Sequence, residues 1–282
     1  MPESVAAARP PAATPTPRRY PWRTAAALVL AATITGPLAL PYLFALARTA
    51  PHPPPIPHWP VPVLGLAMAA RSLVFAGVAT LAGFWFARAL GLGAPYLEHR
   101  LDGAPRPSAP LSSIVKPAVT WAVVTAIVAF AVDAFFVRAL GVTLPAPEIH
   151  ARIDVAWWES LPPCLWAPFA EETFDRLFLL SRIAWIPIRL CRLSGAGRTA
   201  ALWFANVATA LIFGVYHIDN EAMFADPVPA LVAWRTVLII LPVGLAFGWL
   251  YFRRGLEAAI LSHFIIDVIV HVLRPLLTSL GR

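Results

Sequence analysis

The sequence predicts an all-α, polytopic membrane protein in which about seven transmembrane helices enclose a polar cavity within the membrane. Of its 282 residues, 59% are hydrophobic and only 13% are charged, and the mean hydropathy is +0.70. A soluble globule needs more polar surface than this composition supplies. The apolar residues also fall into runs near the ~20 residues that a helix needs to cross a bilayer. We therefore expect a single helical membrane domain over residues 24–282.

The first 23 residues differ from the rest of the chain. They are a mixture of Ala, Pro, Arg and Thr with almost nothing to bury, which predicts a disordered basic tail. The apolar run from Ala25 to Ala47 follows three arginines, as in a secretory signal, but its length of about 23 residues exceeds a usual signal core. An uncleaved first span is therefore expected.

Six further apolar runs follow. They lie at about residues 61–90, 113–138, 164–190, 199–219, 229–252 and 256–273. Arg71 interrupts the second run, so its membrane part is expected at about 72–90. Pro162, Pro163 and Pro168 are expected to break the chain before the fourth helix, because proline is tolerated only in a helix's first turn.

The distribution of charged residues predicts how the chain is oriented in the membrane and which partners it binds. Lys and Arg concentrate in alternate connections, which predicts a cytoplasmic N-terminus. The net charge of +7 is spread along the apolar runs instead of forming one patch, so nucleic acid is not an expected partner. Membrane lipids are expected partners, and the Ala-, Pro- and Arg-rich composition favours a bacterial inner membrane.

Three short polar motifs lie within the apolar runs. They are Glu171-Glu172-x-x-x-Arg176, Phe213-x-x-x-His217 and His263-x-x-x-Asp267. An ionisable group in hydrocarbon costs roughly 2.5–3.5 kcal/mol, so such groups are typical of functional sites. Together the motifs predict a buried reaction site.

Each motif allows a structural alternative. Glu172 and Arg176 form an i,i+4 pair on one helix face, whereas Glu171 has no local partner, as expected of a general base. An ion network that pins helices together explains the same residues. The spacing of His263 and Asp267 suits a metal pair, two oxyanion donors or an interhelical hydrogen bond.

Two further histidines within the apolar runs have weaker claims taken alone. His217 lies near the far end of the fifth span, where an interfacial histidine is common, and His271 lies one turn after Asp267. With a helix that starts after the prolines, Glu171 and His217 meet near the outer face. His263 is then expected nearer the middle of the membrane, a gap on the order of 10 Å.

The three motifs, in this order on membrane helices, resemble those of the CAAX prenyl protease and bacteriocin-processing (CPBP) group of intramembrane endopeptidases. The likeness extends to Leu211–His217 and to Gly244-x-x-x-Gly248-x-x-Tyr251, and it covers about residues 160–275. It implies hydrolysis of a peptide bond in a membrane-bound substrate, including prenylated or leader-type substrates. In that family the glutamate and the middle histidine activate water, which assigns these roles to Glu171 and His217.

The same resemblance assigns oxyanion stabilisation to His263 and Asp267, with Glu172 and Arg176 in support. Asp267 donates a hydrogen bond only when it is protonated. Members of the group are described both as metalloproteases and as glutamate proteases. A zinc ion on Glu171, His217 and His263 therefore stays open, although the metal-free assignment is favoured and no cofactor is expected.

Other functions also place acids inside a helical bundle. A transporter of ions or protons would use Asp133 in the third span, which the protease interpretation leaves without a role. However, no inverted repeat is visible. A catalytically silent membrane scaffold or a bacteriocin-immunity-type protein is the other alternative, against which the complete motifs argue.

Overall fold

A computed structural model describes residues 19–143 and 155–280 of the chain. No β-strand occurs among these residues, and the predicted all-α membrane fold is confirmed. The helices are α1 (Trp22–Leu38), α2 (Leu40–Thr49), α3 (Val61–Ala89), α4 (Pro95–Asp102), α5 (Ser112–Arg138), α6 (Trp157–Glu172), α7 (Ser181–Leu190), α8 (Gly195–Tyr216), α9 (Ile218–Ala222), α10 (Ala230–Arg254), α11 (Leu256–Asp267) and α12 (Arg274–Leu280). Two π-helical segments, Thr173–Leu180 and Val268–Leu273, join α6 to α7 and α11 to α12.

Five described helical stretches are long and apolar enough to cross a membrane. They begin with α3, α5, α8, α10 and α11, and the pair α1 and α2, bent by 41°, adds a sixth. The remaining predicted span, the fourth, corresponds to α6, the first π segment and α7. Its charged residues exclude it from this count, and they include the first polar motif.

The helix α3 runs without a break from Val61 through Arg71, and its expected membrane part at about residues 72–90 stays a prediction. One expected helix boundary was wrong, because α6 begins at Trp157 and continues through all three prolines. The backbone N–H of Ala156 donates to Glu159 Oε2 (3.0 Å), which stabilises this earlier start. Within a membrane domain, neighbouring helices and side chains can compensate the backbone hydrogen bonds that prolines remove.

The first π segment lies at the centre of the bundle and packs against α3, while α10 packs against α5, α8 and α11. Close packing of α10 on α8 depends on Gly244 and Gly248. A Cβ atom on Gly248 would lie 1.8 Å from Oδ1 of Asn206, and one on Gly244 would lie 3.0 Å from Cβ of Ala210. Small residues at such spacing let membrane helices approach each other.

The outer surface of the bundle fits a lipid environment. Large apolar side chains are exposed along α3 and α5, and exposed Trp59, Trp157 and Trp158 flank the starts of α3 and α6. Tryptophan is enriched where a membrane meets water. The starts of these two helices are therefore expected at the same membrane face.

The short helix α4 braces the opposite end. Asp102 accepts hydrogen bonds from the backbone N–H groups of Arg23 and Thr24 (2.9 Å each), which caps the start of α1. Partial burial raises the pKa of Asp102, but these bonds and that of the Thr24 hydroxyl outweigh it, so the pKa lies below its ordinary value. Glu257 in turn accepts from Tyr96 and Leu97 at the start of α4.

The predicted tail falls mostly outside the described residues, as does part of the acidic connection before α6. Of the tail, Trp22 and Arg23 belong to α1.

Candidate active site

The four acidic and histidine residues of the first and last motifs lie next to the two π-helical segments. Glu171 and Glu172 are the last residues of α6, directly before the first segment, and Asp267 is the last residue of α11, directly before the second. His263 lies one turn earlier in α11. Because π-helical turns occur frequently at functional sites, their position supports this region as the site.

His263 is the hub of the site. Its Nδ1 lies 2.8 Å from Oε1 of Glu172, and its Nε2 lies 3.8 Å from Oε2 of Glu171 and 3.5 Å from Oδ2 of Asp267. The ring stacks on Phe247, with centroids 4.8 Å apart. Three carboxylates thus surround one imidazole whose orientation is fixed.

The three carboxylate side chains differ in how much of their surface is exposed. The side chain of Glu172 is fully buried, whereas those of Glu171 and Asp267 are 23% and 17% exposed. Only Nε2 of His263 therefore faces carboxylates that an external molecule can reach. Glu172 is placed to hold the imidazole, and Glu171 and Asp267 are placed to meet a substrate or water.

The predicted pair of Glu172 and Arg176 is present, with Oε2 and Nε 3.4 Å apart and both side chains fully buried. The guanidinium carbon lies over the rings of Phe213 (5.2 Å) and Phe247 (5.8 Å), which are favourable cation–π contacts. Among the described residues, the Arg176 nitrogens have no hydrogen-bond partner. We call Glu171, Glu172, Arg176, His263 and Asp267 the His263 cluster.

His217 lies outside the His263 cluster, and the Phe213 ring lies near both. It follows the last residue of α8, and its Nδ1 lies 2.7 Å from the carbonyl oxygen of Phe213. The Phe213 ring lies 4.6 Å from the His217 ring and 6.1 Å from the His263 ring. Within the described part of the chain, no hydrogen bond or ion pair joins His217 to Glu171. The imidazole nearest to Glu171 is therefore His263.

The expected gap between Glu171 and His263 was wrong, since their side chains lie 3.8 Å apart. Glu171 is the fifteenth residue of α6, roughly 21 Å from its start, because the helix continues through the prolines. This places Glu171 deep in the bundle, at the level of His263. His271 lies in the second π segment with an exposed side chain.

Two polar residues of the site were not predicted. Asp175 is fully buried, and its Oδ2 accepts a hydrogen bond of 2.5 Å from the hydroxyl of Tyr216, the neighbour of His217. This bond ties the end of α8 to the first π segment. The available signals were an acid directly before Arg176 and a tyrosine directly before His217.

A cavity of about 260 Å³ opens beside Glu171. Its walls come from α3, α6, the first π segment and α8. They comprise Arg71, Ser72, Phe75, Trp166, Ala170, Glu171, Phe174 and Tyr216. Glu171 therefore faces both His263 and a mostly apolar space that a short peptide segment could enter.

The zinc alternative would use Glu171, His217 and His263. Among residues 19–143 and 155–280, no three or more His, Cys, Asp or Glu side chains form a group that could hold a metal ion. Nδ1 of His263 is engaged by Glu172 and Nδ1 of His217 by a carbonyl oxygen. Zinc-binding histidines are held in the same way through their second ring nitrogen, so these two contacts do not argue against zinc. The metal-free assignment stays a prediction.

Asp133 belongs to a separate polar cluster. Its Oδ1 lies 2.6 Å from Nη2 of Arg235, and its Oδ2 lies 3.4 Å from Nη2 of Arg274. Oε1 of Glu221 lies 3.6 Å from Nη1 of Arg235 and accepts a hydrogen bond of 2.8 Å from Thr236. We call these five residues the Arg235 cluster, and its contacts join α5, α9, α10 and α12.

Residues 153–269 match the protein-family model described as type II CAAX prenyl endopeptidase Rce1-like. The match includes all seven residues named in the three motifs, and the predicted family resemblance is confirmed. No curated protein and no solved structure matches the chain.

Proposed function

We propose that this integral membrane protein, whose residues 153–269 match a CAAX-type protease family, hydrolyses a peptide bond of a membrane-bound peptide or protein with water activated by Glu171. One observation carries the proposal. Glu171 lines the cavity, and its Oε2 lies 3.8 Å from Nε2 of His263. A carboxylate and an imidazole thus meet at the edge of a space that a substrate could enter.

The spacing of these two atoms suits a shared water molecule. A water at ordinary hydrogen-bond distances of about 2.8 Å from both would subtend an angle of roughly 85° at its oxygen. In this position the water can donate one O–H to Glu171 while its oxygen accepts from Nε2–H of His263. Glu171 can therefore accept one proton of a water whose position His263 also controls.

In the proposed reaction, Glu171 accepts a proton from water as the water oxygen attacks the carbonyl carbon of the peptide bond. Because Nδ1–H of His263 donates to Glu172, the imidazolium form presents Nε2–H to the resulting oxyanion. Asp267 lies 3.5 Å from Nε2 and stabilises this positive form. Glu171 then transfers its proton to the leaving nitrogen as the C–N bond breaks.

His217 is proposed to assist activation of the water from the other side of Phe213. Since the Phe213 carbonyl can only accept, Nδ1 of His217 carries the proton and Nε2 of the neutral ring is an acceptor. An acceptor of this kind suits a base. However, His263 lies nearer to Glu171, so we expect His263 to be the more important imidazole.

We further propose a bacterial inner membrane location with the N-terminus in the cytoplasm. The helices α3 and α10 both end in basic residues, which supports this orientation because positive charges concentrate on the cytoplasmic side. Arg88 lies in the last turn of α3, and Arg253 and Arg254 lie in the last turn of α10. Prenylated and leader-type peptides are the proposed substrates.

The proposal can be tested with the purified full-length chain and a library of apolar peptides, with cleavage followed by mass spectrometry. Glu171→Gln and His263→Gln should each lower cleavage by about 10²–10⁴-fold, and His217→Gln should lower it less. Glu159→Gln, at the far end of α6, is the matched control and should retain activity. The thermal unfolding of all variants should be similar.

Cleavage by Glu171→Gln at the rate of the unsubstituted protein would overturn the site assignment. Metal analysis of active protein, together with incubation with a chelator, tests the metal-free assignment. We expect activity to survive the chelator, and its loss and recovery with zinc would contradict us.

A further inference from the structure

The cavity beside Glu171 contains a cation that the proposed reaction does not use. Arg71 is the eleventh residue of α3, roughly 15 Å from the start of a helix whose hydrophobic face is otherwise exposed. It lines the cavity from the side of α3, while Glu171 and Tyr216 line it from α6 and α8.

Arg71 differs from the other arginines inside the bundle. Arg176 and Arg235 each face a carboxylate at 3.4 Å or less. Within residues 19–143 and 155–280, by contrast, the structure gives Arg71 no ion pair, hydrogen bond or aromatic ring partner. Its side chain is exposed, so its donors are free for an external group.

The surroundings of Arg71 are largely apolar. The rings of Phe75 and Phe174 lie 5.1 Å apart, and Ser72 next to Arg71 is occupied by a hydrogen bond of 3.2 Å from the Trp166 indole. A guanidinium on the wall of such a cavity attracts an anion that enters it. Its planar fork of donors matches the two oxygens of a carboxylate.

We propose that Arg71 binds a carboxylate of the substrate peptide and thereby selects which peptides are cleaved. The inference rests on the proposed function, since the bound group would lie in the cavity into which Glu171 projects. At about 260 Å³ the cavity falls just below the usual ~300–1,000 Å³ of ligand pockets, which favours a short peptide end as the occupant. The carboxylate is either the C-terminus or an acidic side chain close to it.

The test uses the full-length chain in nanodiscs and one apolar peptide library made in three forms. The first has a free C-terminal carboxylate, the second a C-terminal amide, and the third an amide with aspartate as the last residue. The unsubstituted protein should cleave the first form faster than the second by roughly tenfold or more, as expected for a hydrogen bond to a charged group. Preference for the third form over the second would identify a side-chain carboxylate as sufficient.

Arg71→Gln should remove this preference by raising KM for the carboxylate forms, while cleavage of the plain amide stays unchanged. Arg71→Lys should keep part of the preference, and the control Arg138→Gln, at the end of α5, should keep all of it. The same libraries are also measured for binding to Glu171→Gln protein. Binding to this variant measures the carboxylate preference without turnover. If cleavage fails but the binding preference is present, the proposed function fails and this inference stands.

Equal cleavage and equal binding of all three forms by the unsubstituted protein would overturn the proposal. So would a preference that survives Arg71→Gln. A third outcome is that Arg71→Gln lowers cleavage of all three forms equally, and does so in phospholipid nanodiscs but not in detergent. That result would assign Arg71 to a lipid phosphate and would also overturn the proposal.

Discussion

The two polar clusters inside this membrane domain differ in how their charges are matched. In the Arg235 cluster, two carboxylates face two guanidinium groups, and Thr236 donates to Glu221. In the His263 cluster, three carboxylates surround a single imidazole, and one arginine pairs with Glu172. The first is balanced from within the chain, whereas the second has an excess of acidic groups.

The two clusters also differ in whether their buried polar atoms have hydrogen-bond partners. Oε2 of Glu172 and the nitrogens of Arg176 have no hydrogen-bond partner in the described part of the chain, although they are fully buried. Buried polar atoms are normally paired, and exceptions call for a specific explanation. The Arg235 cluster therefore has the charge balance of a contact that holds helices together, whereas the unpaired atoms of the His263 cluster fit the reaction proposed above.

The largest expected effect on stability comes from the balanced cluster. Arg235→Met leaves Asp133 and Glu221 without their shared partner, and breaking a buried pair in this way costs about 3–5 kcal/mol. The free energy of unfolding, measured in mixed micelles, should fall by that amount, while cleavage per folded molecule stays unchanged.

Arg253→Gln is the control for Arg235→Met, because Arg253 is exposed at the end of α10. It should change stability by less than about 0.5 kcal/mol. If Arg235→Met abolished cleavage by protein of unchanged stability, the Arg235 cluster would belong to the reaction and the distinction would fail.

A smaller effect is expected at the boundary of the His263 cluster. Tyr216→Phe removes the donor to Oδ2 of Asp175, whose Oδ1 has no partner among the described residues. Leaving such an acceptor unsatisfied costs about 1–3 kcal/mol. The free energy of unfolding should fall by that amount.

A double-mutant cycle with Asp175→Ala, which removes the acceptor, isolates the contact between Tyr216 and Asp175. A coupling below about 0.5 kcal/mol, as found for independent sites, would mean that the hydrogen bond does not hold α8 to the first π segment.

The sequence predicted the contacts that depend on local spacing. Glu172 with Arg176 and His263 with Asp267 are both four residues apart, so one helical turn brings each pair together. The membrane fold followed from composition, because no other class of protein is so poor in polar residues.

Contacts between distant segments could not be predicted in this way. His263 meets Glu172 across 91 positions, and helical periodicity gives the face of each helix but not the height at which two helices cross. The predicted height of Glu171 was wrong because the helix was expected to start only after the three prolines. In the folded bundle, packing against neighbours overrides that local preference.

The smallest effect is expected at the rim of the Arg235 cluster. Arg274 lies 3.4 Å from Asp133, but its side chain is 45% exposed, and its guanidinium carbon also lies 5.2 Å from the ring centre of Phe130. Exposed ion pairs contribute about 0–1 kcal/mol, so Arg274→Gln should lower the free energy of unfolding by no more than that. The effect should shrink further in high salt, since exposed charges are screened. If Arg274→Gln lowered the free energy of unfolding as much as Arg235→Met, Asp133 would depend on both arginines equally. The stability of this cluster would then come from the whole network and not mainly from the buried Arg235.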